Sequence, residues 1–407
     1  MKIKAQLENL EKLHSLVLDF IDEEKDTEEN FQNLYNLISE QKINENKSEF
    51  KTLLRLLVNL SNNHYRGKDF FEKIEKIIIE YKSNIQILYS NTEIFDIFKS
   101  NKILLLFMFE QKMIIFDKYI FEMITTENID NTDFDQNFND YNQKVSKKLF
   151  RRVQYFQPEI EQFLKENTKE MNEFKESFPN LLGKQLPEDF EEKRRQGEND
   201  DEICELIRND LIEDFTTFVS YHNYPLKSKI KRSIYETNGL LLSQKCTLIE
   251  YAAFFGSCQI FRYLVDNGAE IEPEIWIHAV HSNSNEMLSL LEENITDYEE
   301  RENDYYETFP FRDSILESIK SHHNDVVNYV INKYDDQITK QSDNRLLNLD
   351  LKTLVLSESV KYHNFPFFID NIKDDNIIFY LCLYDYLPLV KTLLSTKRII
   401  IESMKII

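Results

Sequence analysis

The sequence predicts an all-α protein in which a helical N-terminal region is followed by a degenerate solenoid of helix pairs. Apolar residues recur every three or four positions through most of the chain, as they do along the buried face of a helix. Glycine and proline, on which the tight turns of β-rich folds depend, number only 6 and 8 among 407 residues. From about residue 200 onward, a pattern of paired short helices returns at irregular intervals.

The first 126 residues are predicted to form a helical region of antiparallel helix pairs. Steps of four and three residues place positions 3, 7, 10, 14, 17 and 21 on one helix face. All of these positions are apolar except His14, which predicts a buried helix face. Ser48 stands shortly before an apolar pattern that begins at Phe50, which is the usual place of a helix N-cap.

Two interruptions divide the rest of the chain. Residues 127–142 lose the helical spacing and are dense in Asp and Asn, which predicts a loop or linker. Residues 178–200 contain two prolines and two glycines, which predicts a domain boundary. We therefore expect a helical region at 1–126, a linker with intervening helices at 127–200, and a repeat domain at 201–407.

The clearest unit of the repeat domain covers residues 247–272. Its pattern predicts a short apolar helix that contains the small residues Ala252 and Ala253, a turn at Gly256, and a second apolar helix that ends before Gly268. Small side chains in the first helix would let the two helices approach closely.

Weaker copies of this unit follow at uneven distances. The position of Ala252 is taken by Ala279, Ser318, Ser359 and Leu381, at steps of 27, 39, 41 and 22 residues. An earlier copy lies near residues 203–219, which makes six helix pairs. Each pair would need its neighbours to cover its apolar face, as in a solenoid.

Residues 247–272 resemble an ankyrin repeat. The matching residues, in order, are Thr247, Ile249, Ala252, Ala253, Gly256, Ile260, Phe261, Leu264, Gly268 and Ala269. Leu248 and Glu250 stand where that family prefers Pro and His. More closely, the segments IRNDLIEDF (207–215), SIYETN (233–238) and LIEYAAFFGSCQIFRYL (248–264), with ILLLFMFEQKMI (103–114) as a weaker match, resemble the ankyrin-like family of trichomonad protists that carries a domain of unknown function. The resemblance implies an all-helical ankyrin-like protein and supplies no activity.

Charge and composition exclude several classes of function. The net charge of −23 disfavours binding to nucleic acid or to an anionic membrane and favours a protein partner with a basic surface. The six glycines are too dispersed to form a phosphate-binding loop. The charged N-terminus and the shortness of the apolar runs, such as the seven residues 103–109, predict neither a signal peptide nor a membrane span. Four cysteines without a CxxC pair indicate a reducing cytoplasm, with the nucleus as the alternative.

No motif indicates catalysis, a cofactor or a metal site. His278 and His281, and the pair His322–His323, have spacings that two metal ligands could use, but we interpret them as surface and loop histidines. Residues 133–137 mimic the start of a calcium loop and lack its glycine and its final glutamate. The basic runs 147–152 and 193–195 suggest nuclear-import or phosphate contacts, but each is short and flanked by acidic residues.

The sequence therefore favours a non-enzymatic scaffold or adaptor that binds another protein on the concave face of an ankyrin-like solenoid, with the acidic segment 292–307 at the rim. The alternative is an enzyme or enzyme subunit with an unrecognised site at the junction of the helical regions. The predicted contact residues, here called the binding stripe, are the two residues that end each first helix: Phe254, Phe255, His281, Ser282, Lys320, Ser321, Lys361, Tyr362, Leu383 and Tyr384.

Overall fold

A computed structural model describes residues 2–23, 25, 27–126, 141–178, 181–183, 185–243, 245–294, 309–340, 345–370 and 377–396. The fold class is confirmed as all-α. Within these residues the backbone forms 25 α-helices, one 3-10 helix and no strand, apart from an isolated bridge between Lys229 and Thr247. Scarce glycine and helical apolar spacing were sufficient to predict this class.

In chain order, the helices are α1 (Lys2–Asp22), α2 (Thr27–Glu40), α3 (Lys47–Asn63), α4 (Phe70–Glu80), α5 (Lys82–Leu88), α6 (Asn91–Phe98), α7 (Lys102–Glu110), α8 (Lys118–Thr125), α9 (Tyr141–Tyr155), α10 (Gln157–Glu166), α11 (Thr168–Ser177), α12 (Phe190–Gln196), α13 (Glu202–Arg208), α14 (Ile212–His222), α15 (Gly239–Ser243), α16 (Leu248–Phe255), α17 (Cys258–Asp266), α18 (Ile275–Ala279), α19 (Asn285–Asn294), α20 (Phe309–Lys320), α21 (Asn324–Lys340), α22 (Arg345–Lys361), α23 (Phe365–Asp370), α24 (Ile377–Leu383) and α25 (Leu387–Thr396). The 3-10 helix spans Ile43–Glu45.

The chain forms two compact units. Unit 1 comprises Met1–Tyr81, Ala253–Cys258 and Ile271–Ile407, and unit 2 comprises Lys82–Ala252 and Gln259–Glu270. The three-part division expected from the sequence stays a prediction. Residues 127–140 of the expected linker, the calcium-like residues 133–137 and most of the acidic segment 292–307 lie outside the described residues.

Unit 1 contains a succession of helix pairs. The pairs are α18 with α19, α20 with α21, α22 with α23, and α24 with α25. The first helices also contact one another in order, so that α18 packs on α20, α20 on α22, and α22 on α24. Small buried residues at these contacts, including Ala279, Ser318 and Ser359, let the backbones approach closely.

The turns between paired helices share one backbone conformation. Gly256, Asn283, His322, His363 and Asp385 have φ values of 69°, 51°, 63°, 61° and 60°, the left-handed region. Each of them lies four residues after the corresponding position of the first helix, which is Ala252, Ala279, Ser318, Ser359 or Leu381. The left-handed turns therefore recur at the predicted steps of 27, 39, 41 and 22 residues.

Hydrogen bonding explains why this conformation recurs. In the last three turns, the N–H of the residue after the left-handed one donates to a carbonyl five residues earlier, as in a Schellman motif, which satisfies a carbonyl at the helix end. The three bonds are His323 N to Ser318 O at 3.0 Å, Asn364 N to Ser359 O at 2.9 Å, and Tyr386 N to Leu381 O at 2.7 Å. Unit 2 has the same left-handed turn at Lys112 and Asp210.

A buried arginine organises part of the core of unit 2. Arg194 on α12 is 3% exposed, and its guanidinium contacts Glu159 at 2.8 Å and Glu191 at 2.7 Å. The Tyr155 hydroxyl on α9 donates to the backbone carbonyl of Arg194 at 2.8 Å. The two carboxylates thus compensate the buried charge.

Candidate functional site

The binding stripe lies in unit 1, at equivalent positions of successive helix pairs. Its five residue pairs directly precede the left-handed residue of each turn. The structure brings some of them into contact. The rings of Phe254 and His281 stack at 4.1 Å, and Lys320 Nζ and Lys361 Nζ lie 5.9 and 4.8 Å from the centre of the Tyr362 ring.

Four residues of the stripe are buried and therefore cannot contact a partner directly. They are Phe254, His281, Ser282 and Ser321. The other six are half-buried or exposed: Phe255, Lys320, Lys361, Tyr362, Leu383 and Tyr384. Leu383, at 58% exposed, is the most accessible of the large apolar side chains among them. The stripe available for binding is therefore shorter than the sequence suggested.

The accessible part of the stripe combines aromatic and cationic groups. Lys320 pairs with Glu317 at 3.2 Å and Lys361 with Glu358 at 3.4 Å, each one helical turn earlier. Both ammonium groups also approach the Tyr362 ring within the range of cation–π contacts. These contacts restrain the two lysines and hold Tyr362 between them.

The N-terminal helices contact the turns beside the stripe. On α3, Lys51 and Arg55 bind the carboxylate of Asp385 at 2.7 and 3.3 Å. One turn further along α3, Asn59 Nδ2 donates to Nδ1 of His363 at 3.1 Å. Residues four apart share a helix face, so one side of α3 reaches two successive turns.

Backbone carbonyls at the helix ends are satisfied by the same side of α3. Arg55 donates to the carbonyl of Tyr384 at 3.3 Å, and the ring of His64, just after α3, contacts the carbonyl of Ser321 at 2.5 Å. The last carbonyls of a helix lack partners within the helix and carry partial negative charge, so donors are stabilising there. The contacts of α3 with these helix ends were not predicted from the sequence.

Histidine is concentrated in this part of unit 1. Seven of the eight histidines are buried there, and we call them the histidine row: His14, His64, His278, His281, His322, His323 and His363. The interpretation of His278, His281, His322 and His323 as surface residues is therefore wrong, whereas the latter three do lie in turns or loops, as expected. Neighbouring helices cover the turns on which they lie, a tertiary effect that local spacing does not reveal.

Two contacts define the middle of the row. His14 Nε2 on α1 lies 2.7 Å from His322 Nδ1, so one ring donates and the other accepts. His64 lies between the Asp22 carboxylate, 2.8 Å from Nε2, and the Ser321 carbonyl at Nδ1. Both nitrogens of His64 thus face acceptor oxygens.

Burial keeps most of the row neutral. It lowers the pKa of His14, His323 and His363 to about 3, assisted by electrostatic interaction with His64 for the first two and with the Arg55 guanidinium for the third. Burial also holds the pKa of His281 and His322 well below the usual value. Neutral rings agree with the His14–His322 hydrogen bond, which requires one donor and one acceptor.

No family model, curated protein or solved structure matches the chain. The ankyrin-like resemblance therefore rests on the residues quoted above. Among the described residues, no group of three or more His, Cys, Asp or Glu side chains is placed to hold a metal ion. Burial raises the pKa of the Cys204 thiol to about 12, so this sulfur is protonated at neutral pH.

The basic run 193–195 is engaged in ion pairs within unit 2. Lys193 contacts Asp189 at 2.9 Å, and Arg195 contacts Glu110 at 2.8 Å. Arg194 is the buried arginine described above. In the other run, Arg152 donates to the carbonyls of Ile124 and Thr126. Most of these cations are thus used in intramolecular contacts.

Throughout the described part of the chain, no helix has both the length and the apolar character required to span a bilayer.

Proposed function

We propose that the chain is a non-enzymatic interaction scaffold of ankyrin-like helix pairs that binds another protein through the accessible part of the binding stripe. The observation that carries the proposal is the recurrence of one left-handed turn at the end of successive first helices. This recurrence gives the residue before each turn an equivalent position, and repeat proteins bind through such series of equivalent positions.

Side-chain chemistry supports the same surface. Tyr362 and Tyr384 are half-buried and stand on successive turns, with the exposed Leu383 next to Tyr384. Tyrosine is enriched among the residues that dominate binding energy at protein interfaces, because it offers a large rigid area and a polar tip. We expect these residues to form the centre of the interface.

The expected partner is a protein with a basic surface. The net charge of −23 attracts positive charge over long distances and would accelerate association at low ionic strength. The compartment proposed is the cytoplasm or the nucleus, because all four cysteines are free and three of them are buried in the reduced form.

Site-specific crosslinking tests the proposal. A photoreactive phenylalanine analogue is placed at Tyr362 or Tyr384, and at Tyr221 as the control, which is 84% exposed on α14. Crosslinking in extract should capture one protein at the first two positions and not at Tyr221. The double substitution Tyr362→Ala with Tyr384→Ala should abolish binding of that protein while circular dichroism shows that the variant remains folded. Equal capture at Tyr221, or full binding by the double variant, would refute the proposed surface.

A further inference from the structure

Unit 1 contains a cavity of about 280 Å³ between α1, the 3-10 helix, α3 and the start of α25. Its apolar wall includes Leu10 and Leu13 from α1 and Leu389 from α25. Its polar groups include Gln6 and Glu49. The volume lies just below the roughly 300 Å³ at which sites for drug-sized ligands begin, so only a small ligand fits.

Glu49 is the single charged side chain of the lining. No cationic side chain of the described residues is paired with its carboxylate, although the residue is half-buried at the start of α3. Burial raises the pKa of this carboxyl group. A carboxylate removed from water without a partner costs free energy, and a cation that entered the cavity would recover it.

The second unsatisfied group is an amide oxygen. Gln6 Oε1 is buried and has no hydrogen-bond donor among the described residues. Among the other polar side chains of the lining, Asn9 donates to Gln41 at 3.0 Å and the Thr52 hydroxyl donates to the Ser48 carbonyl at 3.3 Å. Tyr386, with its hydroxyl, also belongs to the lining. The cavity thus offers a carboxylate and an acceptor oxygen to a ligand that supplies positive charge and hydrogen-bond donors.

We propose that this cavity binds a small primary amine whose ammonium group donates to Glu49 and to Gln6 Oε1, while its hydrocarbon body packs against Leu10, Leu13 and Leu389. An anion would be repelled by Glu49. A neutral alcohol would leave the carboxylate without a compensating charge. A quaternary ammonium group would supply charge but no donor for Gln6 Oε1.

Titration calorimetry with the full chain tests this assignment, using 2-phenylethylamine as the probe. The matched ligands are 2-phenylethanol, which lacks the charge, and the N,N,N-trimethyl derivative of the amine, which lacks the donors. We expect the amine to bind with one-to-one stoichiometry and to raise the melting temperature. Each matched ligand should bind at least about tenfold more weakly.

Two variants locate the binding. Glu49→Gln should weaken the amine at least about tenfold, because the neutral amide keeps the shape and loses the charge. Glu45→Gln is the control, since Glu45 is exposed on the 3-10 helix and pairs with Lys42 outside the cavity. Circular dichroism melting verifies that both variants fold. Equal binding of amine and alcohol, undiminished binding by Glu49→Gln, or absence of amine binding in the millimolar range would overturn the proposal.

Discussion

Lowering the pH from 7 to 5.5 should destabilise the protein through the histidine row. His14, His323 and His363 have pKa values of about 3 in the folded chain, against the ordinary value of 6.5. Below pH 6.5 the unfolded chain binds a proton at each position and the folded chain does not. Unfolding therefore takes up protons, and the free energy of unfolding falls as the pH falls below 6.5 until it approaches the folded-state pKa.

The magnitude follows from these values. One such histidine loses about 1.2 kcal/mol of stabilisation between pH 7 and 5.5, so three lose about 4 kcal/mol. The three rings are 2–5% exposed, and solvent screening therefore reduces this figure little. A loss of about 4 kcal/mol is a large fraction of the roughly 5–15 kcal/mol that stabilises a typical domain. His281 and His322 change the stability in the same direction.

Urea unfolding followed by far-ultraviolet circular dichroism at the two pH values measures this loss. In His323→Gln the loss should be smaller by about 1.2 kcal/mol, because one proton-binding group is gone. The glutamine amide can still donate to the Val280 carbonyl, which lies 3.0 Å from Nδ1 of His323. His222→Gln, at an exposed position, is the control and should leave the loss unchanged. Equal free energies of unfolding at both pH values, or equal effects of the two variants, would refute the reasoning.

Three further substitutions test the packing by chemical denaturation. Gly256→Ala should lower the free energy of unfolding by about 1–2 kcal/mol, because φ is 69° and the new Cβ would lie 3.2 Å from Cβ of Ser284. Gly67→Ala is the control: its Cβ meets no atom within 4 Å, and the stability should not change. Arg194→Met should lower the free energy of unfolding by about 3–5 kcal/mol, because it leaves the Glu159 carboxylate, which is only 16% exposed, without its buried cation. Arg195→Met, at a side chain that is 64% exposed, should lower it by at most about 1 kcal/mol, and similar losses would contradict the buried ion pair. Ala252→Leu, at a fully buried position, should lower the free energy of unfolding by about 1–3 kcal/mol, because the larger side chain overpacks the core. An unchanged melting temperature would contradict the placement of α16.

The features that depend on local sequence were predictable. Helices follow from apolar spacing, and the turn at Gly256 follows from a residue that tolerates positive φ. The turn at Asn283 could be placed by its distance from Gly256, because asparagine also tolerates the left-handed region. His322 and His363 occupy the same position, and histidine is also enriched in the left-handed region. The sequence analysis predicted the repeat positions Ser318 and Ser359, four residues earlier, but not these turns.

The covering of the turns was not predictable from local patterns. His14 and His322 are separated by 308 residues in sequence, and no spacing rule connects them. One signal was present, since His14 occupies an apolar position of the α1 pattern between Leu10 and Val17. A polar residue on a buried face requires a partner, and a search for that partner could have led to the other histidines.

The contacts of α3 have a mechanical consequence. In an array in which each helix pair touches only its neighbours, a pulling force detaches the pairs one after another from the loaded end. Here Arg55 holds the carbonyl just after α24, Asn59 contacts the next turn at His363, and His64 holds the carbonyl at Ser321. The helix α3 and the residue that follows it therefore contact three successive turns, so the load is shared among them. Stretched between its ends, this part of unit 1 should rupture in one step instead of unravelling pair by pair.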